Sequence, residues 1–213
     1  MRIDEIAQGY QKYEEIWSYV KKKDKKVVLN HNTPYYNEHV IGACEMFRGY
    51  EYYAAKDELG RCTGAFAVLG TETLPKHKRK GISGIKPTGW INTQYDWIPG
   101  KYCYNRCHLI GFQLSGQNAN SRNLITGTKQ LNVDSDKGML IYENIVKEYI
   151  CATGNHVAYR VVPRFYKNNL LADGITLEAL SLEDYGKGVS FYVFIPNSQK
   201  GLIIDYKDGS TYV

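Results

Sequence analysis

No stretch of this 213-residue sequence is apolar for long enough to cross a membrane as a helix. The first twenty residues lack the continuous apolar segment of a secretory leader and carry Glu14 and Glu15, so they do not read as a signal peptide. There is no internal repeat, no low-complexity tract and no convincing linker, and one α+β domain is the simplest account. Cysteine is scarce. Cys44, Cys62, Cys103, Cys107 and Cys151 are odd in number, which leaves at least one unpaired within a monomer and makes Cys62–Cys107 and Cys62–Cys103 the candidate bridges. They do not decide the redox compartment.

What is present is ordinary in bulk and unusual in detail. Hydrophobic residues at 43% and charged residues at 23% are in the range of a soluble globular protein with one core. Nineteen tyrosines suit strands and half-wet surfaces and can stack on bases or sugars, although β-rich packing already accounts for them. The net charge of +5 is a mild excess, compatible with a polyanionic partner. It is concentrated in two places. Lys21, Lys22, Lys23, Lys25 and Lys26 follow the first helix, as a solvated, dipole-compensating end would. Lys76, Lys78, Arg79 and Lys80 surround His77 in a Gly-rich loop.

Ile3, Ile6, Tyr10, Tyr13, Trp17 and Val20 recur at three- and four-residue steps, which predicts an amphipathic helix within residues 1–26. The rest, 27–213, reads as the single domain. Val27 to Leu29 is a strand, His31 to Pro34 a turn, and residues 50–70 a strand pair around Glu58-Leu59-Gly60-Arg61. A long punctuated loop covers 71–90, and strand character resumes from Trp90 to Trp97. Gly138 to Ile150 carries an apolar helical stripe. Strands are expected at 157–166 and 189–195, weaker ones at 175–182 and 202–206, with Asp173-Gly174 as a hairpin signal.

The chemistry concentrates between Tyr104 and Asn132. Arg106 and His108 are two apart, hence on one face of an extended strand. A guanidinium holds an anion and an imidazole moves a proton, a pair suited to a phosphate ester. Asn123 and Asn132 follow, and an amide oxygen is a hard, neutral ligand suited to hydrated Mg²⁺. Phosphate holder, base and hard-metal ligand together point to phosphodiester hydrolysis. Glu143 and Lys147 share a helix face four residues apart. By spacing alone they are an exposed ion pair, stabilising by only about 0.2–0.5 kcal/mol.

The series Tyr104-Asn105-Arg106-Cys107-His108-Leu109-Ile110-Gly111, Asn118-Ala119-Asn120, Asn123-Leu124-Ile125-Thr126 and Leu131-Asn132 resembles the DNA/RNA non-specific endonucleases, the ββα-metal or His-Me finger nucleases. The upstream Lys86-Pro87-Thr88-Gly89-Trp90 and the downstream run from Val193 to Leu202 are similar to their bacterial DNase branch, which includes secreted streptococcal enzymes. The likeness covers roughly residues 50–210. It implies a mainly antiparallel sheet with a ββα-metal motif and flanking helices. It implies His108 as general base, Asn132 as direct ligand of hydrated Mg²⁺ (Mn²⁺ being the alternative ion), and Asn123 in the same active-site set. It also implies Glu143 orienting water on the metal and Lys147 on phosphate. Arg79 or Lys80 would add a phosphate contact from the upstream loop. DNA is the implied partner, with RNA as the further substrate the chemistry allows, 5′-phosphate products and an extracellular location, the cytoplasm being the alternative; the lack of a long apolar run gives no membrane partner.

Two departures stand out. The motif is commonly Asp-Arg-Gly-His in that family. Here Asn105 stands for the Asp and Cys107 for the Gly, so a side chain must fit where none is expected. Two rival readings remain at this level: a nucleic-acid-binding module that does not need His108, and a structural zinc protein using Cys103, Cys107 and His108, for which no matching Cys pair follows.

Overall fold

A computed structural model of the chain describes residues 3–9 and 25–213. In chain order the helices are α1 (Ile3–Gln8), α2 (Glu38–Met46), α3 (Phe112–Ser115), α4 (Lys129–Val133) and α5 (Met139–Thr153). The strands are β1 (Val27–Val28), β2 (Glu51–Tyr53), β3 (Ala65–Leu69), β4 (Tyr104–His108), β5 (Leu124–Thr128), β6 (Val157–Arg164), β7 (Gly174–Ser181), β8 (Ser190–Pro196), β9 (Ile203–Ile204) and β10 (Thr211–Tyr212). The expected N-terminal helix begins as α1. It ends at Gln8, with Gly9 in the left-handed region (φ +69°), and the rest of the expected stripe, Tyr10, Tyr13, Trp17 and Val20 with Lys21, Lys22 and Lys23, lies outside the described residues.

Among the described residues six strands form one sheet in the order β1-β8-β7-β6-β3-β2, with every neighbouring pair antiparallel. The period of two decides which side chain goes to which face. Ala65, Ala67 and Leu69 of β3 and Val157, Tyr159 and Val161 of β6 point to one side. There they meet Cys107, Leu109, Ile125, Leu131 and the α5 stripe Met139, Tyr142, Val146 and Ile150. Phe66 and Val68 of β3 and Ala158 of β6 point to the other side, onto Ile6, Ala7, Tyr36, Val40 and Cys44. The sheet is therefore covered on both faces, and the larger core lies under α5 and the β4–β5 hairpin.

The second face holds an ion pair as well. Arg160 and Glu178 are register partners on β6 and β7, both buried, with Arg160 Nε donating to Glu178 Oε1 at 2.7 Å. The same guanidinium donates to the carbonyls of Ile6 (2.9 Å) and Tyr35 (3.0 Å), and the Tyr35 amide donates to Glu178 Oε2 (2.6 Å). One buried pair thus ties α1 and the segment before α2 to the sheet.

Several expectations differ from the structure. Trp90 to Trp97 forms no strand beyond a single bridge, Gln94 with Tyr102, because the Asn92 side chain takes the place of a partner strand and pairs with both main-chain groups of Tyr104. The 175–182 segment is a full eight-residue central strand, whereas 202–206 shrinks to the two residues of β9. Asp173-Gly174 does not make a tight turn. Gly174 opens β7, and the connection runs from Phe165 to Asp173, closed by the Asp173 amide on the Arg164 carbonyl. Helix α2 was not expected. Its start is nonetheless written in Asn37, whose side chain accepts from the Val40 amide as an N-cap.

Candidate functional site

Strands β4 and β5 pair in register from Tyr104–Thr128 to His108–Leu124, and the Leu109 amide extends the ladder onto the Asn123 carbonyl. The fifteen-residue connection has to return on itself, and Asn123 makes it do so. Its side chain is fully buried and donates to the Ile110 carbonyl (3.0 Å) while accepting from the Ile110 amide (2.8 Å). Both ends of the carboxamide are consumed, and Asn123 does not line the cavity described below. It shapes the loop that presents the site.

Cys107 faces the core, and room for it comes from the opposite strand. A Cβ on Gly127 would lie 2.3 Å from the Cys107 sulfur. The side chain at position 107 is accommodated by the lack of one at position 127. Burial pushes the Cys107 thiol far up, so it is inert. All five cysteines are free, and the candidate bridges from Cys62 are absent: its sulfur sits against the carbonyls of Leu124 and Ser121. Among the described residues no three His, Cys, Asp or Glu side chains are grouped to hold a metal, which removes the zinc reading.

Arg106 and His108 do share a face. With Arg79, Gln113, Asn132 and Glu143 they line a cavity of about 330 Å³. His108 is mostly buried, and its Nε2 lies 2.9 Å from the Asn118 main-chain carbonyl. A carbonyl only accepts, so Nε2 carries the hydrogen and the neutral ring keeps its lone pair on Nδ1. Nδ1 has no partner among the described residues. Burial lowers the His108 pKa from the ordinary imidazole value. The Asn118 carbonyl opposes this, and Arg79 adds to it. The ring is therefore a free base at neutral pH.

Asn132 reaches the cavity from α4, a single short helix begun by Thr128, whose hydroxyl oxygen accepts from the Leu131 amide. Thr128 is in turn held by Asn197, whose buried carboxamide accepts from the Thr128 amide and donates to the carbonyls of Thr126 and Ala172. Asn92, Asn118, Asn123 and Asn197 all have their carboxamides engaged, whereas that of Asn132 has no hydrogen-bond partner among the described residues. A solvent-facing amide oxygen without a partner, among oxygen and nitrogen donors and no thiol, fits a hard, hydrated divalent cation.

Glu143 is buried on α5, accepting from Gln113 Nε2 at 3.2 Å. Burial raises its pKa to about 7, against smaller lowering effects of Gln113 and Arg79. A Cβ on Gly111 would fall 2.3 Å from the carboxylate, so a side chain there would displace the Glu143 head. Arg106 is more constrained than a simple phosphate holder. Its guanidinium donates to the carbonyls of Ile85 and Ser83 and lies 4.1 Å from the Trp90 ring centroid, which pins the 71–90 loop to the hairpin. Of the remaining expected phosphate contacts, Arg79 lines the cavity. Lys147 is half-buried on α5 and does not line it. Lys80 does not line it either, but its main chain clamps the Asn118 side chain. Gln113, Asn118 and Asn197 carry no signal in spacing or charge that singles them out in the sequence.

Residues 40–182 match the model of the DNA/RNA non-specific endonuclease family. The chain belongs to that family. It is a nuclease acting on phosphodiester bonds, a non-specific endonuclease. The endonuclease shares its mixed α and antiparallel β fold with NucA from Streptococcus agalactiae. The magnesium-bound structure of NucA aligns with a TM-score of 0.78 and 23% identity over 94% of this chain and 97% of that one. The NucA structure with no metal bound gives 0.77 and 24%, over 94% and 96%. The Sda1 nuclease with a bound zinc ion aligns at 0.68 and 24% identity, over 77% of the endonuclease and 80% of Sda1. At such identities the likeness speaks for the fold of the endonuclease alone.

Proposed function

We propose that the chain hydrolyses DNA and RNA strands at the cavity holding His108 and Asn132, with Mg²⁺ as the working ion and Mn²⁺ able to replace it. The observation that carries this reading is the pairing of a free imidazole base with a partnerless amide oxygen in one cavity. Nδ1 of His108 takes a proton from water as the water oxygen attacks phosphorus. The bond to the 3′-oxygen breaks, that oxygen takes a proton from a second water molecule, and the 5′-phosphate stays on the other fragment. Asn132 would hold the cation through its amide oxygen, and Glu143 would orient the ion's hydration water. When bound, the ion neutralises charge gathering on the phosphate oxygens. Arg79 and the free edge of Arg106 supply fixed positive charge to the same oxygens.

The reading makes this a His-Me finger site, with β4, β5 and α5 as its two strands and helix. It gives residues 27–213 one catalytic domain. No step uses a 2′-hydroxyl, so DNA and RNA both react. The magnesium in NucA supports the choice of ion. Two structural neighbours described as an extracellular endonuclease and an extracellular nuclease support action outside the cell. Agarose-gel digestion of duplex DNA and of RNA, with Mg²⁺ and with EDTA, tests the reading. Cleavage of both in Mg²⁺, none in EDTA, and fragments that ligase joins without a kinase step are expected. Fragments with 3′-phosphate ends would refute the chemistry.

A further inference from the structure

A second cavity, about 580 Å³, opens beside the first and shares Arg79, Arg106 and Asn132 with it. Its other walls include Lys129, Tyr102 and Trp90. We infer that this cavity is a subsite for the nucleotide adjoining the scissile phosphate, in which Lys129 holds the neighbouring phosphate and the Tyr102 ring stacks its base. The inference rests on the hydrolytic reading above and extends it to the substrate's flank.

Three cations and no carboxylate line the cavity, so an anion is the ligand its charge selects. Lys129 makes no ion pair among the described residues. One of its ammonium hydrogens goes to the Pro99 carbonyl, which aims the head and leaves two donors for a phosphate. Lys129 and Asn132 are three apart on α4, hence on one face at roughly 5–6 Å between their Cβ atoms. Both line the same cavity, so a strand whose scissile phosphate sits beside Asn132 passes Lys129.

The aromatic groups divide the work. The Trp90 ring is already covered by the Arg106 guanidinium, and Tyr104 is buried with its hydroxyl on the Gly209 carbonyl. Tyr102 is 43% exposed, and the Gln94 amide donates to its hydroxyl and holds the plane of the ring. It is the aromatic face left for a base. Stacking of this kind accepts any base, consistent with cleavage that ignores sequence. A volume of this size lies within the ~300–1,000 Å³ of small-ligand sites, enough for one nucleotide with its water.

The test uses the full chain with Tyr102→Ala, Tyr102→Phe, Lys129→Gln and, as a distant control, Tyr185→Ala. Anisotropy of a labelled single-stranded oligonucleotide in EDTA reads binding without cleavage. Tyr102→Ala is expected to weaken binding roughly 5- to 100-fold, and Tyr102→Phe to restore it. Lys129→Gln should lower the slope of log affinity against log salt by about 0.7, one phosphate contact. In Mg²⁺, Tyr102→Ala should lower kcat/KM on the oligonucleotide by a larger factor than on bis(p-nitrophenyl) phosphate, which has no base and a single phosphate. Unaltered oligonucleotide binding in Tyr102→Ala, or no recovery in Tyr102→Phe, overturns the subsite. Failure of the unmodified protein to cleave either substrate overturns the hydrolytic reading instead, and the anisotropy series still decides the subsite.

Discussion

The Asn118 main-chain carbonyl accepts the Nε2 hydrogen of His108 at 2.9 Å, and the Asn118 side chain is clamped from both sides by the main chain of Lys80. The upstream basic loop therefore acts on the imidazole indirectly: it holds the group that orients the ring. Asn118→Ala keeps the carbonyl but cuts the clamp. We expect kcat to fall roughly 10-fold, in line with the cost of slight misplacement of a reacting group, with KM little changed. A KM effect with kcat intact would mean that Asn118 contacts substrate instead.

Asn132→Ala removes the partnerless amide oxygen. In the unmodified protein Mg²⁺ is expected to raise Tm and EDTA to lower it back. The variant should lose that Mg²⁺-dependent rise and most of its cleavage, while Tm in EDTA stays within about 2 °C of the unmodified protein, because the residue is not in the core. A full Tm response to Mg²⁺ in Asn132→Ala would place the ion elsewhere.

Glu143 makes metal-free stability depend on pH. Its pKa is near 4.5 when unfolded and about 7 when folded, so between those values the native state binds more proton than the unfolded state. Stability from this group is full below pH 4.5, falls as pH rises through the window, and is constant above 7. Two and a half units correspond to a loss on the order of 3 kcal/mol. Glu143→Gln cannot ionise. Urea titrations in EDTA at pH 4.5 and pH 8 should show the variant gaining on the unmodified protein at the higher pH. An equal difference at both would contradict the burial argument.

Arg160→Met should destabilise the fold by about 3–5 kcal/mol, since it leaves the Glu178 carboxylate buried without its partner. Adding Glu178→Leu should recover most of that loss. Denaturant unfolding of both variants checks it. No recovery in the double variant would show that the contacts with Ile6 and Tyr35, rather than the unpaired charge, dominate.

The sequence made some of this legible for identifiable reasons. The unbroken apolar run Ala65–Leu69 marks a strand buried on both faces, and the stripe of α5 marks a helix over a core. Arg106 and His108 share a face because a strand repeats every two residues. What stayed hidden depends on pairing across distance. Asn123 looks like a catalytic carboxamide until Ile110 is seen to satisfy both its ends. Cys107 looks like an intrusion until Gly127, diagonal to it on the partner strand, is seen to leave it room. Asn197 is nearly seventy positions from the hairpin that it holds to the sheet. The partnered carboxamides and that of Asn132 look alike in the sequence; what singles out Asn132 is an amide without a partner in the same cavity as His108.

The most direct measurement is a paired assay of His108→Ala on plasmid DNA in Mg²⁺, with cleavage read on a gel and binding read by filter retention. The account predicts that the variant binds DNA within about threefold of the unmodified protein and cleaves it at least 10²-fold more slowly, as loss of a general base requires. Cleavage at an undiminished rate would show that another group removes the proton from water, and the account would fail.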